Sequence, residues 1–121
     1  MTIRLSLLAL LVVLLAPNFP SAAIAADRLA LVIGNAKYPD ADAPLKEPIN
    51  DAKDIADELK RDGFDVETGE NLTGDAMRRA FDRLYARIKP GSVALVFFSG
   101  FGVQSARQSY MIPVEDRKSV V

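Results

Sequence analysis

The sequence predicts a three-layer α/β domain, a parallel sheet in the order 2-1-3 with one helix on each face. Three observations carry that prediction. Arg28–Asn35 and Val93–Phe98 are continuous apolar runs rather than alternating ones, the pattern of strands covered on both faces. Two segments between them repeat their apolar residues at helical spacing. A shorter alternating run, Phe64–Thr68, separates those helices as a half-exposed edge strand would. With right-handed crossovers, strand, helix, strand, helix, strand puts a helix on each face when the first strand is central. The carboxyl ends of strands one and three are then neighbours. Gly34-Asn35 and Ser99–Gly102 bracket the switch point where such sheets place their sites.

The first 25 residues belong to a different class. Arg4 is followed by an apolar run of about a dozen residues, short for a span of roughly 20, so a membrane anchor is the weaker alternative. Pro17 and Pro20 break the run before Ser21-Ala22-Ala23-Ile24-Ala25-Ala26, the small-residue pattern of a signal-peptide cleavage site. The expectation is a signal peptide over residues 1–25, cut after Ala25, and a secreted or periplasmic domain over 26–121. Without Arg4 the charged residues leave a net of −2 and no basic stripe. Nucleic acid and anionic membrane surfaces are therefore excluded as partners. The sequence contains no Cys and no His, so neither a disulfide nor the commonest metal ligand and proton carrier is available.

Along the mature chain, Gly34 and Asn35 end the first strand in a turn. Ala36–Glu47, with Pro39 and Pro44, reads as an irregular loop at the sheet's carboxyl edge. The first helix is expected to start at Asn50 or Asp51, whose side chains suit a cap. Ala52, Ile55, Ala56 and Leu59 form its apolar stripe, and Gly63 is placed to close it in the left-handed conformation. In the second helix Thr73 reads as the N-cap, with Leu72 and Met77 at the positions of a hydrophobic staple. Met77, Phe81, Leu84 and Ile88 form its expected buried face, and Pro90-Gly91 stops it. Beyond Gln104 a polar turn leads into Ser109–Val114, one arm of a small hairpin, and then a charged tail from Glu115.

The segments "RLALVIGN" (28–35), "LKEPINDAKDIADEL" (45–59), "GFDV" (63–66) and "VFFSGFGVQ" (96–104) resemble the caspase and metacaspase family, in family order and over nearly the whole mature chain. The resemblance implies a caspase-like fold and cysteine endopeptidase chemistry, in which an imidazole exchanges protons with a thiolate that attacks the scissile carbonyl. It also implies that the family His stands between the two glycines of a Ser-Gly-His-Gly motif. Here that position is Phe101. By the same resemblance the nucleophilic Cys ends a fourth strand, which the sequence as read to Val121 does not reach. The expected fold is accordingly incomplete, an N-terminal part of a caspase-like domain.

No catalytic residue is assigned. The expected cleft lies between Asn35–Lys46 and Ser99–Gln104, with Asn35, Lys46, Ser99, Gly100, Phe101, Gly102 and Gln104 as its candidate residues. Ser99 has no base to activate it and reads as turn chemistry. Gly100-x-Gly102 lacks the Lys of a phosphate loop, and Lys46 reads as a solvated loop cation. Asp40, Asp42 and Glu47 match no calcium loop, and no metal or cofactor is expected. Lys37-Tyr38 reads equally as ligand contact or loop packing. Three functions stay open: a catalytically inactive module that binds a protein or peptide, a truncated fragment with no function of its own that needs a second chain, and an active endopeptidase, which the missing dyad argues against. Pairing through the edge of Val93–Phe98 is a further expected contact.

Overall fold

The computed structural model describes residues 26–39, 43 and 45–115. The expected signal peptide, Asp40 and Asp42, and the tail from residue 116 lie outside the described residues. β1 (Arg28–Gly34) is the middle of a three-stranded parallel sheet in the order 2-1-3. It pairs with β2 (Asp65–Glu70) from Leu29↔Asp65 to Gly34↔Glu70, and with β3 (Val93–Ser99) from Arg28↔Val93 to Gly34↔Ser99. Alternation along β1 feeds two cores. Leu29, Leu31 and Ile33 pack under Met77, Ala80 and Leu84 of α2 (Gly74–Arg87). Val32 packs on the other face with Ala52 and Ala56 of α1 (Glu47–Arg61). The fold is the caspase-like α/β architecture expected from the sequence.

Two apolar runs that look alike in sequence take different places. β1 is buried from Leu29 to Gly34. β3, expected to be covered on both faces, is an outer strand among the described residues, with Val93 and Val96 left 47% and 43% exposed there. An apolar run states what a strand can bury, while crossover geometry decides which strand is central.

α1 starts earlier than its side chains announce. Lys46 occupies the N-cap and supplies no side-chain acceptor; Pro48 sits in the first turn, where a missing N–H leaves nothing unpaired. Asn50 and Asp51 are already helical. Its far end is as expected. Gly63 takes φ +83°, its N–H reaches the Lys60 carbonyl, and the Phe64 N–H reaches that of Leu59, which closes the helix as a Schellman motif. In α2 the Thr73 hydroxyl accepts the Ala76 N–H at 3.2 Å, as a capping residue should. Ile88 falls outside the helix and is 41% exposed, so Ala80 rather than Ile88 completes the buried face.

β4 (Gly102–Ser105) and β5 (Gln108–Met111) form an antiparallel hairpin. Its two-residue turn, Ala106-Arg107, has φ of +49° and +66°. A tight hairpin demands that left-handed pair, yet neither residue is Gly or Asn, and each costs about 1 kcal/mol or more there. Ala106→Asn combined with Arg107→Gly is therefore expected to raise the unfolding free energy by about 1–2 kcal/mol. A urea midpoint that does not move would show that the hairpin melts ahead of the sheet. After the hairpin the chain returns to α2, where the Glu115 carboxylate, without a partner in the sequence reading, accepts the Gly74 N–H at 2.6 Å.

Candidate functional site

At the carboxyl ends of β1 and β3 the chain builds a polar hub before it builds a cleft. Asn35 follows β1 directly and is fully buried. Its N–H meets the Ser99 carbonyl at 2.9 Å, its Oδ1 accepts the Leu72 N–H at 2.9 Å, and its Nδ2 donates to the Ile112 carbonyl at 3.3 Å. One side chain thus ties the central strand to the start of α2 and to the hairpin's return. Asn71, at φ +52°, offers its Oδ1 to the N–H groups of Ala36 and Lys37, both at 3.0 Å. That pair of bonds fixes the segment leading to Tyr38.

Tyr38 is only 7% exposed, and its hydroxyl joins both legs of the hairpin base. It donates to the Ile112 carbonyl at 2.8 Å and accepts the Phe101 N–H at 2.9 Å. Burial pushes this hydroxyl above its ordinary pKa of 10.0, against the opposing pull of the hydrogen bond from the Phe101 N–H. The group is a neutral donor at physiological pH. The Phe101 ring stacks on Tyr38, with centroids 4.3 Å apart and planes 22° from parallel, while staying 41% exposed. Gly100 allows this arrangement, because a Cβ there would lie 2.5 Å from the Tyr38 hydroxyl and 2.8 Å from Phe98 Cζ.

Beside Phe101 opens a cleft of about 670 Å³. Leu45, Lys46, Glu47, Pro48 and Asp51, at the start of α1, form one wall, and Ser99, Gly100 and Phe101 form the other. Of the candidate residues, Lys46, Ser99, Gly100 and Phe101 come together here. Asn35 does not line the cleft: it is a buried structural pin beneath it. Gly102 and Gln104 belong to β4, where they pair with Met111 and Ser109. The sequence reading missed Tyr38 as the anchor of Phe101, and it missed Asn71 altogether. The detectable signal for Asn71 was its type, since Asn tolerates the left-handed conformation better than most residues.

The cleft brings together one cation, Lys46, two carboxylates, Glu47 and Asp51, and the apolar Leu45, Pro48 and Phe101. Among the described residues no group of three Asp or Glu side chains is arranged to hold a metal ion. A second hollow of about 600 Å³, lined by Asp27, Arg28, Asp65, Arg87 and Lys89 among others, lies at the amino ends of the strands. Sheets of this kind do not build their sites at that end.

Comparison with known proteins agrees with this architecture. The sequence profile of the caspase domain matches residues 27–121. The human mucosa-associated lymphoid tissue lymphoma translocation protein 1 is 32% identical over 92 residues, which cover 76% of this chain and 11% of the human protein. Its homologue from Mus musculus is 30% identical over the same length, with the same coverage. The chain thus spans only a small part of the curated relatives it matches.

Proposed function

The chain belongs to the caspase-domain family of peptidases, and on that premise we propose that it is a catalytically inactive member that binds a protein or peptide segment in the Lys46–Phe101 cleft. The observation that carries the reading is Phe101. It occupies the position between two glycines where the resemblance calls for the proton-exchanging imidazole, and its ring is held against Tyr38 with one part open to the cleft. An aromatic ring cannot take or give the proton that thiolate attack requires. What remains at the site is recognition: an aromatic face, apolar Leu45 and Pro48, and charged Lys46, Glu47 and Asp51. The amino-terminal pattern of residues 1–25 supports export, with the domain acting outside the cytoplasm.

Two assays test this reading. Reporter peptides with Asp, Arg or Lys before the scissile bond should give no turnover with the purified protein, and turnover would overturn the claim of inactivity. A displayed library of random peptides should yield ligands whose affinity falls more than about tenfold with Phe101→Asp, since a charge placed there meets Glu47 and Asp51 and the aromatic face is lost. The unfolding free energy should fall by only about 0.5–1.5 kcal/mol, the contribution of the lost stack on Tyr38, so the variant stays folded for the binding assay. Ligands indifferent to Phe101→Asp, or a library that yields none, would remove the cleft from consideration.

A further inference from the structure

We infer that the β4–β5 hairpin is a hinge for domain swapping between two copies of this chain: the Ala106-Arg107 turn opens, and residues 108–115 of each copy take their native place on the other. The turn itself points to this. Ala106 and Arg107 stand at φ +49° and +66°, and neither is the Gly or Asn that tolerates the left-handed region. An extended connection relieves both residues at once, in both copies. Short strained loops of this kind favour exchange, because only the hinge changes conformation.

The exchanged segment keeps all its other contacts. Within one copy the Tyr38 hydroxyl and Asn35 Nδ2 donate to the Ile112 carbonyl at 2.8 and 3.3 Å. The Ile112 N–H donates to the Phe101 carbonyl and the Val114 N–H to the Leu72 carbonyl, both at 3.0 Å. Glu115 accepts the Gly74 N–H, Pro113 is buried, and Met111 packs against the core of Leu31 and Met77. Each of these contacts joins residues on opposite sides of the hinge, so a second copy can supply it with unchanged geometry. The hairpin pairs, from Gly102↔Met111 to Ser105↔Gln108, re-form between copies in the same way. Exchange therefore sets loop strain against the entropy of association, with no native contact given up.

The hinge is also placed to open. β4 and β5 form a two-stranded sheet of their own, a marginally stable unit. Residues 101–109 are exposed, so the tip stands clear of the body and leaves room for a second one. Neither proline nor glycine lies between Val103 and Met111, so nothing there resists an extended run. The exchange makes the hub composite. Tyr38 and Asn35 of one copy then hold Ile112 of the other, beneath the first copy's own Phe101, and each cleft rests on both chains. The exchange is independent of what the cleft binds.

Refolding from urea at high protein concentration should give a dimer that persists on dilution, because separating the copies requires both hubs to open. Monomer alone would overturn the proposal. The 121 residues contain no Cys, so Gln104→Cys with Ser109→Cys supplies the only thiols. These positions face each other across the hairpin, with Cα atoms about 4.5–5.5 Å apart, within disulfide range. After oxidation and denaturation without reductant, the dimer fraction should run as a covalent dimer and the monomer fraction as a monomer. A dimer fraction that yields only monomers would mean that the copies meet through another surface, which overturns the exchange, as would thiols that pair in neither fraction. After equilibration in mild urea, Ala106→Asn with Arg107→Gly should weaken the dimer more than about thirtyfold, since the closed turn is then unstrained in both copies. Ala106→Pro should strengthen it more than about tenfold, because proline cannot take φ +49° but fits an extended hinge. A dimer left unchanged by either substitution would equally overturn the proposal.

Discussion

Replacing Asn35 with Leu is expected to lower the unfolding free energy by about 2–4 kcal/mol, a large part of the 5–15 kcal/mol typical of a whole domain. The volume is roughly kept, so the loss comes from polar groups left behind. In the native hub the Leu72 N–H has Asn35 Oδ1 as its acceptor at 2.9 Å, and Asn35 itself is fully buried. The Ile112 carbonyl keeps the Tyr38 hydroxyl but loses the Asn35 amide. An unpaired buried amide costs about 1–3 kcal/mol, whereas the bond it replaces contributes less than that in net terms. The apolar side chain would also remove the link between β1 and the start of α2, so the Leu72 amide should exchange its hydrogen far faster. Urea unfolding with a change below about 0.5 kcal/mol would show that water enters the hub and that Asn35 is not its pin.

The hub also shows where sequence reading stops. The order of elements, the 2-1-3 sheet, the Gly63 closure and the Thr73 cap could all be read in advance, because each rests on a local rule that sits inside a few residues. Helical spacing identified Met77 and Leu84 as core for the same reason. The start of α1 failed because the reading looked for a side-chain cap, and Lys46 with Pro48 begins the helix without one. Asn35 and Asn71 failed for a different reason. Their partners, Leu72, Ile112, Ala36 and Lys37, are 34 to 77 residues away or fixed only once strands pair. Nothing in the local sequence says whether an Asn at a strand end faces solvent, a ligand or the core. Phe101 was legible as a departure from a motif, but its stacking on Tyr38 required the loop and the hairpin to meet.

The same dependence on long-range approach makes Gly34 the position where the smallest added group should do the most damage. Gly34→Ala is expected to cost about 3 kcal/mol or more, at the upper end of the range for overpacking. A Cβ at this position would lie 2.5 Å from the Pro48 carbonyl oxygen, 2.9 Å from Ala52 Cβ and 3.1 Å from the Pro48 carbonyl carbon. Two of these three atoms are backbone in the first turn of α1, and no rotamer change can move them. Relief requires the helix to lift from β1, which loosens the packing of Val32 against Ala52 and Ala56. Gly69→Ala is the matched comparison. Its Cβ would approach Leu72 Cδ1 just as closely, at 2.5 Å, but that atom is the end of a side chain able to rotate away, so the cost should stay near 1 kcal/mol. Urea unfolding of the two variants measures the difference directly, and equal costs would mean that α1 is free to shift. The consequence reaches the cleft, because Lys46, Glu47, Pro48 and Asp51 form its wall from the same turn. Lifting that turn displaces the charged wall from Phe101. Gly34→Ala should accordingly weaken peptide binding under conditions where the protein is still folded, and Gly69→Ala should leave it intact.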